Sequence, residues 1–384
     1  MRLKKFIVSG IVFLVLINIL VVVTNHTYLY KGIANTYLKG RKGPGLFDLN
    51  VFPKREINAN NGTSIPSKEI EFELSNSQKT DLEAIKTNSF LIVENDSLVF
   101  ESYWGSDHNT LSNSFSMAKS VVNILIGIAI KQGYIASITD PVGKYLPHFQ
   151  NDSLQHITLY HLLSMSSGLY WIESGANPFS HNAKAYYGSD LTAMINELEY
   201  EKTPGKTFEY KSGNSQVLAM VLQKATKMSI GSFAEKHLWT PIGAEQTSYW
   251  SLDHENGVEK AYCCLYATGY DFAKIGLLMA HYGNYNGHQI IDTSFVMAST
   301  MPTELVKHDN TVNDTYGLHW WIFNNYNGLS GYYARGILGQ YIIVIPNHKL
   351  VIVRTGHERM QKSDGFHPDD LFLYLDIAKD YLSK

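Results

Sequence analysis

Apolar residues in this chain fall into two kinds of run. Short runs rich in β-branched and aromatic residues cover 90–94 and 97–103, and the Asn95-Asp96 pair between them predicts a hairpin. A longer run, 121–130, is apolar at all but two positions, which predicts a helix buried on most sides. Gly133 follows that run as a fitting C-terminal stop.

The rest of the chain repeats these two patterns in an order that indicates the fold class. Further helices are predicted at 157–165, 215–225, 229–238, 268–279 and 371–382, and further strands at 320–323, 339–346 and 349–354. Strands therefore lie near both ends and helices fill the middle. This order predicts an α+β fold, in which one antiparallel sheet is built from both ends of the chain and flanked by helices plus an all-helical insert.

The N-terminus carries a separate signal. A basic tip of five residues precedes an apolar stretch, 6–23, which is close to the ~20 residues that span a bilayer. No small-residue cleavage site follows, which favours an uncleaved anchor over a removed signal peptide. Basic residues flank both sides of the stretch, and the short tip favours export of the domain that follows.

Three segments follow from these patterns. We expect residues 1–24 to form a cytoplasmic tip and transmembrane helix, residues 25–80 a stalk or linker, and residues 81–384 the functional domain outside the cytoplasm. The stalk is predicted because 40–45 and 58–63 are rich in turn residues and lack periodicity.

Composition narrows the range of possible functions. The formal charge of −3 over 384 residues gives no basic footprint, so nucleic-acid binding has little support. The two cysteines, Cys263 and Cys264, are adjacent, a spacing that rarely forms a disulfide and cannot form a metal site alone. We expect both to be small buried hydrophobes, which leaves the redox compartment open. The oligomeric state is not readable from the sequence.

Candidate chemistry lies at the start of the long buried helix. Ser116 and Lys119 are three residues apart and share one helix face, and the helix N-terminus offers free N–H groups. A hydroxyl beside an amine is one way to make a serine nucleophile. The pattern S-x-x-K alone is weak, since a helix cap followed by a solvated lysine would look the same. However, a lysine at the mouth of a buried helix needs a partner or a role.

Other catalytic signatures are missing from the sequence. The pairs His254-Glu255 and His357-Glu358 lack the H-E-x-x-H spacing of zinc proteases. The chain contains no G-x-S-x-G elbow, which argues against an α/β-hydrolase. Its glycines assemble no phosphate loop. We therefore expect no metal and no cofactor.

In this architecture the chain resembles the serine β-lactamase-related family, which includes class C β-lactamases, D-Ala-D-Ala peptidases, family VIII esterases and 6-aminohexanoate-dimer hydrolases. The resemblance runs from about residue 85 to the end. Besides Ser116-Met117-Ala118-Lys119, four stretches are similar in order to family motifs, namely 157–169, 204–210, 268–276 and 336–340. Several ordered motifs are far more specific than one.

The resemblance implies roles for the site residues. Ser116 would be the nucleophile, Lys119 its proton acceptor or relay, and Tyr210 a second base, with Lys119 or Tyr210 left open as the group that takes the proton. Backbone N–H groups of Ser116 and Ile337 would form the oxyanion hole, in which one donor typically contributes ~3–4 kcal/mol. The resemblance also makes His161 structural.

Two motifs depart from the family pattern. Where class C β-lactamases have Tyr-x-Asn, Ser212 occupies the third position and Asn214 lies two further on; we expect both to face the substrate. Where lactamases have Lys-Thr-Gly, this chain has Ala334, Arg335 and Gly336. Arg335 either supplies the missing cation from one residue on or is a solvated arginine at a strand edge.

These departures favour an esterase or amidase over a β-lactamase. The sequence predicts a membrane-anchored serine hydrolase that acts through an acyl-enzyme on a small ester or amide. The alternatives are a β-lactamase or D-Ala-D-Ala peptidase, and a catalytically silent binding module of the same fold. Among the aromatic residues, Tyr170 and Tyr333 are the candidates for lining the pocket.

Overall fold

The computed structural model describes residues 2–60, 62–360 and 367–384 of the chain. In these residues twelve α-helices form: α1 (Arg2–Val23), α2 (Tyr28–Asn35), α3 (Asn76–Ala84), α4 (Met117–Lys131), α5 (Leu159–Leu163), α6 (His181–Tyr187), α7 (Leu191–Asn196), α8 (Ser212–Thr226), α9 (Ile230–Ala234), α10 (Gly269–Ala280), α11 (Thr293–Ser299) and α12 (Asp369–Leu382). A π turn, Glu235–Trp239, continues α9.

The same residues form twelve β-strands: β1 (Lys54–Ile57), β2 (Thr87–Glu94), β3 (Ser97–Tyr103), β4 (Ser112–Asn113), β5 (Ser248–Ser251), β6 (Leu265–Ala267), β7 (Asn284–Tyr285), β8 (His288–Gln289), β9 (Trp321–Tyr326), β10 (Leu329–Gly336), β11 (Gln340–Ile345) and β12 (Leu350–Gly356). Short 3-10 turns lie at Tyr37–Lys39, Leu49–Val51, Val142–Lys144, Pro147–Gln150 and Pro346–His348.

The main sheet has six antiparallel strands in the order β3-β2-β12-β11-β10-β9. Its centre joins the two ends of the chain, since Ile92 of β2 pairs with Ile352 of β12. The predicted hairpin through Asn95-Asp96 joins β2 to β3. The prediction of an α+β fold with one sheet drawn from both ends of the chain is confirmed.

Both faces of this sheet are covered. On β2, Leu91 and Val93 belong to a core that includes side chains of α4, α8 and α10. Phe90 and Ile92 alternate with them and belong to a second core on the other face, which includes side chains of α12. A sheet buried on both faces explains why the strands are nearly continuous apolar runs.

The predicted stalk packs against the domain. Strand β1 pairs with β5, which places Ile57 opposite Ser248 in a second, four-stranded sheet, β1-β5-β6-β4. Phe52, Ile65 and Leu74 are also buried. This segment differs from a free-standing stalk because apolar residues between its turn-rich runs enter the two cores. The domain boundaries at residues 24 and 80 stay a prediction.

Helix α1 is the candidate membrane segment. Lys4–Val23 is long and apolar enough to cross a membrane, and none of it is buried against the rest of the protein. Signal sequences share this length and composition, so the helix by itself marks only a candidate anchor. Of the predicted segments, Met1, Asn61 and residues 361–366 lie outside the described residues.

Candidate active site

Ser116 stands at the turn between β4 and α4. The preceding residue, Phe115, is buried and has a φ of +43°, a conformation that non-glycine residues seldom adopt. The backbone N–H of Phe115 donates to Asn113 Oδ1 at 2.9 Å, and that of Ser114 donates to the Leu265 carbonyl at 2.7 Å. Ser116 holds the N-cap position of α4, yet its hydroxyl makes no capping bond, so the hydroxyl remains available for chemistry.

Lys119 is buried beside this hydroxyl, with 1% of its surface exposed. Its Nζ lies 2.9 Å from Ser116 Oγ and donates to the Tyr262 carbonyl at 2.8 Å. The ring centroid of Tyr210 is 5.1 Å from Nζ. The solvated lysine of the simpler interpretation is therefore excluded, and the three residues Ser116, Lys119 and Tyr210 are brought together.

Tyr210 differs from the other phenols around it. It is half-buried, and its ring lies 5.5 Å from Trp321 and 6.0 Å from Tyr316, centroid to centroid. Burial raises the pKa of Tyr262 and of Tyr316 well above the usual range, so both stay neutral at physiological pH. The Tyr210 ring lies nearer to Lys119 Nζ than the Tyr262 ring does, at 5.1 Å against 5.8 Å to the centroid.

The end of β10 reaches the nucleophile from the sheet side. A Cβ on Gly336 would lie 2.3 Å from the Ser114 carbonyl oxygen, so only glycine allows this approach. The next residue, Ile337, lines the same cavity as Ser116. Two side chains fix the turn 337–339 that follows. Arg354 donates to the Leu338 carbonyl at 2.9 Å, and Gln340 donates to the Ile337 carbonyl at 3.1 Å.

Ser116 opens into a cavity of about 280 Å³ that is lined mostly by apolar groups. Two parts of the chain form its walls. The domain contributes Phe115, Ser116, Glu173, Asn182, Ala183, Tyr186, Tyr187, Ser212, Tyr262, Cys263 and Ile337, with the loop 174–178. The segment after α1 contributes Tyr28, Leu29, Gly32, Ile33, Thr36, Tyr37, Lys42, Gly43 and Pro44.

Of the two residues at the site of the Tyr-x-Asn motif, Ser212 and Asn214, only Ser212 lines this cavity. The Ser212 hydroxyl donates to Glu173 Oε1 at 2.8 Å and its N–H to Glu173 Oε2 at 2.7 Å, so both groups bond to Glu173. Asn214 is 1% exposed, and its Oδ1 accepts from Ser167 Oγ at 2.5 Å. Asn214, which was expected to face the substrate, is not part of the cavity lining, because α8 begins at Ser212 and turns that side chain inward.

At the position of the lactamase Lys-Thr-Gly motif, the cation Arg335 lies against an aromatic ring. The Arg335 guanidinium carbon lies 3.9 Å from the centroid of Trp321, the ring that also neighbours Tyr210. Arg335 is thus half-buried on the Tyr210 side and is not a solvated edge residue. Ala334, at the position of the lactamase lysine, is fully buried.

The two aromatic candidates lie elsewhere. Tyr170 borders a separate cavity of about 180 Å³ with His181. Tyr333 is fully buried, its hydroxyl lies 2.8 Å from His367 Nδ1, and burial raises its pKa. Neither residue lines the Ser116 cavity. Tyr333 belongs to the core on the other face of the sheet. His161 caps α5 together with Thr158, the structural role that the resemblance implied.

The cysteines are joined, contrary to expectation. Cys263 and Cys264 are both buried, as predicted, but they form a disulfide between adjacent residues. Adjacent Cα atoms lie 3.8 Å apart, closer than in ordinary disulfides, which is why the sequence argued against it. Cys264 has a φ of +69°, and Cys263 borders the cavity next to Tyr262, the carbonyl partner of Lys119.

Sequence reasoning missed a buried histidine behind the site. His319 lies 2.8 Å from the Leu163 carbonyl through Nδ1 and 2.8 Å from Ser215 Oγ through Nε2, while its own carbonyl accepts from Ser120 Oγ at 2.6 Å. Burial lowers the pKa of His319 to about 3, so it stays neutral and ties α4, α5 and α8 together. No sequence motif predicted this role of His319, since its partners are distant in sequence.

Metal ligands do not gather here. Across residues 2–60, 62–360 and 367–384, no three His, Cys, Asp or Glu side chains are arranged to hold a metal ion.

Comparisons with known proteins agree with this geometry. A family model described as Beta-lactamase matches residues 79–359. The 6-aminohexanoate-dimer hydrolase of Paenarthrobacter ureafaciens is 24% identical over 319 residues, which cover 78% of this chain and 79% of that protein. A structure from Bacillus anthracis, provisionally identified as a 6-aminohexanoate-dimer hydrolase, superposes with a TM-score of 0.73 at 22% identity and covers 86% of this chain and 90% of its own.

A family VIII carboxylesterase superposes with a TM-score of 0.58 at 16% identity, covering 80% of this chain and 99% of its own. At these identities the two superpositions establish a shared fold. The sheet, the helical insert and the Ser116–Lys119 pair define a serine hydrolase of the β-lactamase and transpeptidase type. The match over residues 79–359 completes the assignment: the chain belongs to the β-lactamase family.

Proposed function

We propose that this protein is a membrane-anchored serine hydrolase that cleaves a small ester or amide through an acyl-enzyme. The observation that carries the proposal is the 2.9 Å contact between Lys119 Nζ and Ser116 Oγ at the edge of a cavity. An alcohol is a poor nucleophile at neutral pH and needs a base in contact with it. The relatives' names, a 6-aminohexanoate-dimer hydrolase and a carboxylesterase, support an amide or ester as substrate.

The proposed reaction has two balanced steps. Ser116 Oγ bonds to the substrate carbonyl carbon while its proton passes to Lys119 or Tyr210. The bond from that carbon to the leaving oxygen or nitrogen breaks, and the leaving group departs with the proton as an alcohol or amine. Water then attacks the acyl carbon, the bond from that carbon to Ser116 Oγ breaks, and a carboxylic acid leaves while one proton of the water returns to Ser116 Oγ. Backbone N–H groups of Ser116 and Ile337 would stabilise the oxyanion in both steps.

A carboxylate-gripping lactamase or peptidase is the less favoured candidate. Fully buried Ala334 occupies the position of the usual cation, and the Arg335 guanidinium is stacked on Trp321. The Arg335 cation is therefore held against Trp321 and does not line the Ser116 cavity.

Two observations support a location outside the cytoplasm. Helix α1 has the length of a membrane span and is unburied by the domain. The Cys263–Cys264 disulfide is a bond that persists in oxidising compartments and is rare in the cytosol. We infer that α1 is an uncleaved anchor and that the domain lies on the periplasmic or outer side.

Covalent labelling tests the chemistry. The full chain in detergent is treated with a fluorophosphonate probe and its intact mass is measured. We expect one adduct, which Ser116→Ala abolishes. Ser120→Ala is the matched control, because Ser120 lies one turn along the same helix and bonds to the His319 carbonyl. Labelling that survives in Ser116→Ala, or a folded protein that takes no label, refutes the proposal and favours the silent binding module.

A further inference from the structure

Helix α2 follows the candidate span directly. It begins at Tyr28, five residues after α1 ends at Val23, and five residues reach at most ~18 Å. The backbone N–H of His26 bonds back to α1, which shortens this link. The Tyr30 hydroxyl also donates to Asn18 Oδ1 of α1 at 2.6 Å. With α1 in a bilayer, α2 therefore lies at the level where the chain leaves the membrane.

The same helix is docked on the catalytic domain. Gly32 lies so close to Tyr187 of α6 that a Cβ would be 3.3 Å from its ring. The Tyr28 hydroxyl donates to the Pro178 carbonyl at 3.1 Å, in the loop that borders the cavity. Helix α2 thus links α1 to the catalytic domain through direct contacts with α6 and the loop 174–178.

Helix α2 and the turn after it form one wall of the Ser116 cavity. Leu29, Ile33 and Tyr37 supply apolar side chains to that wall. The nucleophile and Ile337 border the same space from the domain. A substrate that fills the cavity would therefore touch both the catalytic serine and a helix adjacent to the bilayer.

The cavity has an apolar, water-exposed rim. Ile33 is 45% exposed, Tyr37 is 61% exposed and Ile337 is 43% exposed, although all three line the cavity. Phe179, next to the cavity loop, is 60% exposed. Large apolar side chains left in water around a cavity mark an interaction surface. Lys42, also in the lining, adds a positive charge of the kind that anionic headgroups attract.

We propose that the substrate of the Ser116 site is a membrane amphiphile, an ester or amide whose long acyl chain enters the cavity from the bilayer along α2. This inference rests on the proposed function and specifies its substrate class. The acyl chain would occupy the apolar wall while its carbonyl carbon bonds to Ser116 Oγ. The polar alcohol or amine would leave toward water with the proton.

Chain length is the first test. The full protein in phosphatidylcholine vesicles is assayed with p-nitrophenyl esters from acetate to decanoate. Burial of each methylene raises kcat/KM about threefold to fourfold until the cavity is filled. We expect decanoate to exceed acetate at least ~100-fold on that basis. A profile that is flat, or that falls with chain length, overturns the inference.

A pair of variants locates the effect. Ile33→Glu places a charge on the α2 wall, and we expect the decanoate-to-acetate ratio of kcat/KM to fall at least ~10-fold, since several methylenes lose their apolar contact. The matched control is Met297→Glu, because Met297 is 48% exposed and lies on α11, outside the cavity lining. We expect the control to keep the wild-type ratio. Equal ratios in the two variants overturn the inference.

The outcomes separate this inference from the proposed function. Fluorophosphonate labelling and acetate turnover report the chemistry of Ser116 itself. If both are present without a preference for long chains, the membrane-substrate inference alone fails. If labelling and ester turnover are both absent from folded protein, the proposed function fails and this inference fails with it.

Discussion

Lys119 is the residue whose surroundings determine the chemistry of this site. Its Nζ is removed from water and has two oxygen neighbours, Ser116 Oγ and the Tyr262 carbonyl, with the Tyr210 ring above it. Burying an amine is costly unless its hydrogen bonds are made. Lys119 meets that requirement partly through the Ser116 hydroxyl, which makes no capping bond at the N-terminus of α4.

Replacing this lysine tests its role as base. Lys119→Met keeps the volume and removes the amine, so we expect the rate of fluorophosphonate labelling to fall about 10²–10⁴-fold, the usual worth of a general base. Lys274→Met is the control, because Lys274 is equally buried but donates to the Thr63 carbonyl, away from the site. It should lower the melting temperature and keep the labelling rate. Equal loss of labelling in both variants would contradict the assignment.

His319 makes a prediction about acid stability. Its pKa is about 3 in the fold and about 6.5 in the unfolded chain, so between these values only the unfolded chain binds the proton. The free energy of unfolding must therefore decrease as the pH falls from 6.5 toward 3. His319→Asn should reduce proton uptake on unfolding at pH 4–5 by about one, as measured by urea titration against pH.

Asparagine suits this position because residue 319 has a φ of +62°, a conformation that asparagine tolerates. Its amide can also donate to the Leu163 carbonyl in place of Nδ1. An unchanged pH dependence in His319→Asn would show that other groups cause the acid loss.

Single residues were predictable where their partners are near in sequence. Ser116 and Lys119 are three apart on one helix, so helix geometry alone brings them together. Ser212 bonds to Glu173, and Asn214 bonds to Ser167, each across about 40 residues or more. Pairings at that distance depend on the tertiary fold, which is why the sequence assigned these two side chains to the substrate.

At the scale of elements, the close approach of β10 to the start of α4 makes the site. The strand ends at Gly336, where backbone meets backbone at the Ser114 carbonyl. Arg354, fully buried, fixes the next turn by donating to the Leu338 and Gly339 carbonyls. Ile337 is therefore held beside Ser116 by the sheet.

A methyl group at this contact should disturb catalysis. In Gly336→Ala the new Cβ would lie 2.3 Å from the Ser114 oxygen, so β10 or the nucleophile turn must shift. We expect the labelling rate of Ser116 to fall about 10–100-fold, since a displacement near 1 Å can cost that much. Ser330→Ala on the same strand is the control and should label normally. A normal rate in Gly336→Ala would exclude the proposed oxyanion geometry.

The elements differ in how visible they are in the sequence. The central strands β2, β11 and β12 were predictable because burial on both faces makes them nearly unbroken apolar runs. Strand β10 was not predicted, because Ser330, Gly331 and Arg335 interrupt its apolar residues. The predicted helix at 229–238 is split in the structure into α9 and a π turn, which periodicity does not distinguish. Helices α6 and α7 are seven and six residues long, too short to leave a periodic pattern.

At the scale of the whole molecule, the segment predicted as a stalk packs against the domain. The buried apolar side chains of this segment include Phe52, Ile57, Ile65, Phe72 and Leu74. At ~1.5–3 kcal/mol each, they contribute roughly 10 kcal/mol, comparable with the total stability of an ordinary domain. The sequence concealed this because the turn-rich runs 40–45 and 58–63 lie among the apolar residues of this segment.

Two deletions test this attachment. Removal of residues 1–24 should leave the melting temperature within a few degrees, because α1 is not buried against the domain. Removal of residues 1–74 should yield insoluble protein or lower the melting temperature by tens of degrees. Thermal unfolding followed by circular dichroism measures both. A domain 75–384 as stable as the full chain would restore the stalk interpretation.

The most direct test of the central claim is to trap the acyl-enzyme. The full chain is mixed with a p-nitrophenyl ester, quenched in acid within the first turnovers, digested and mapped by mass spectrometry. We expect the peptide containing Ser116 to gain the mass of one acyl group, with release of one equivalent of p-nitrophenol. An acyl group on another residue, or ester turnover that persists in Ser116→Ala, would contradict it.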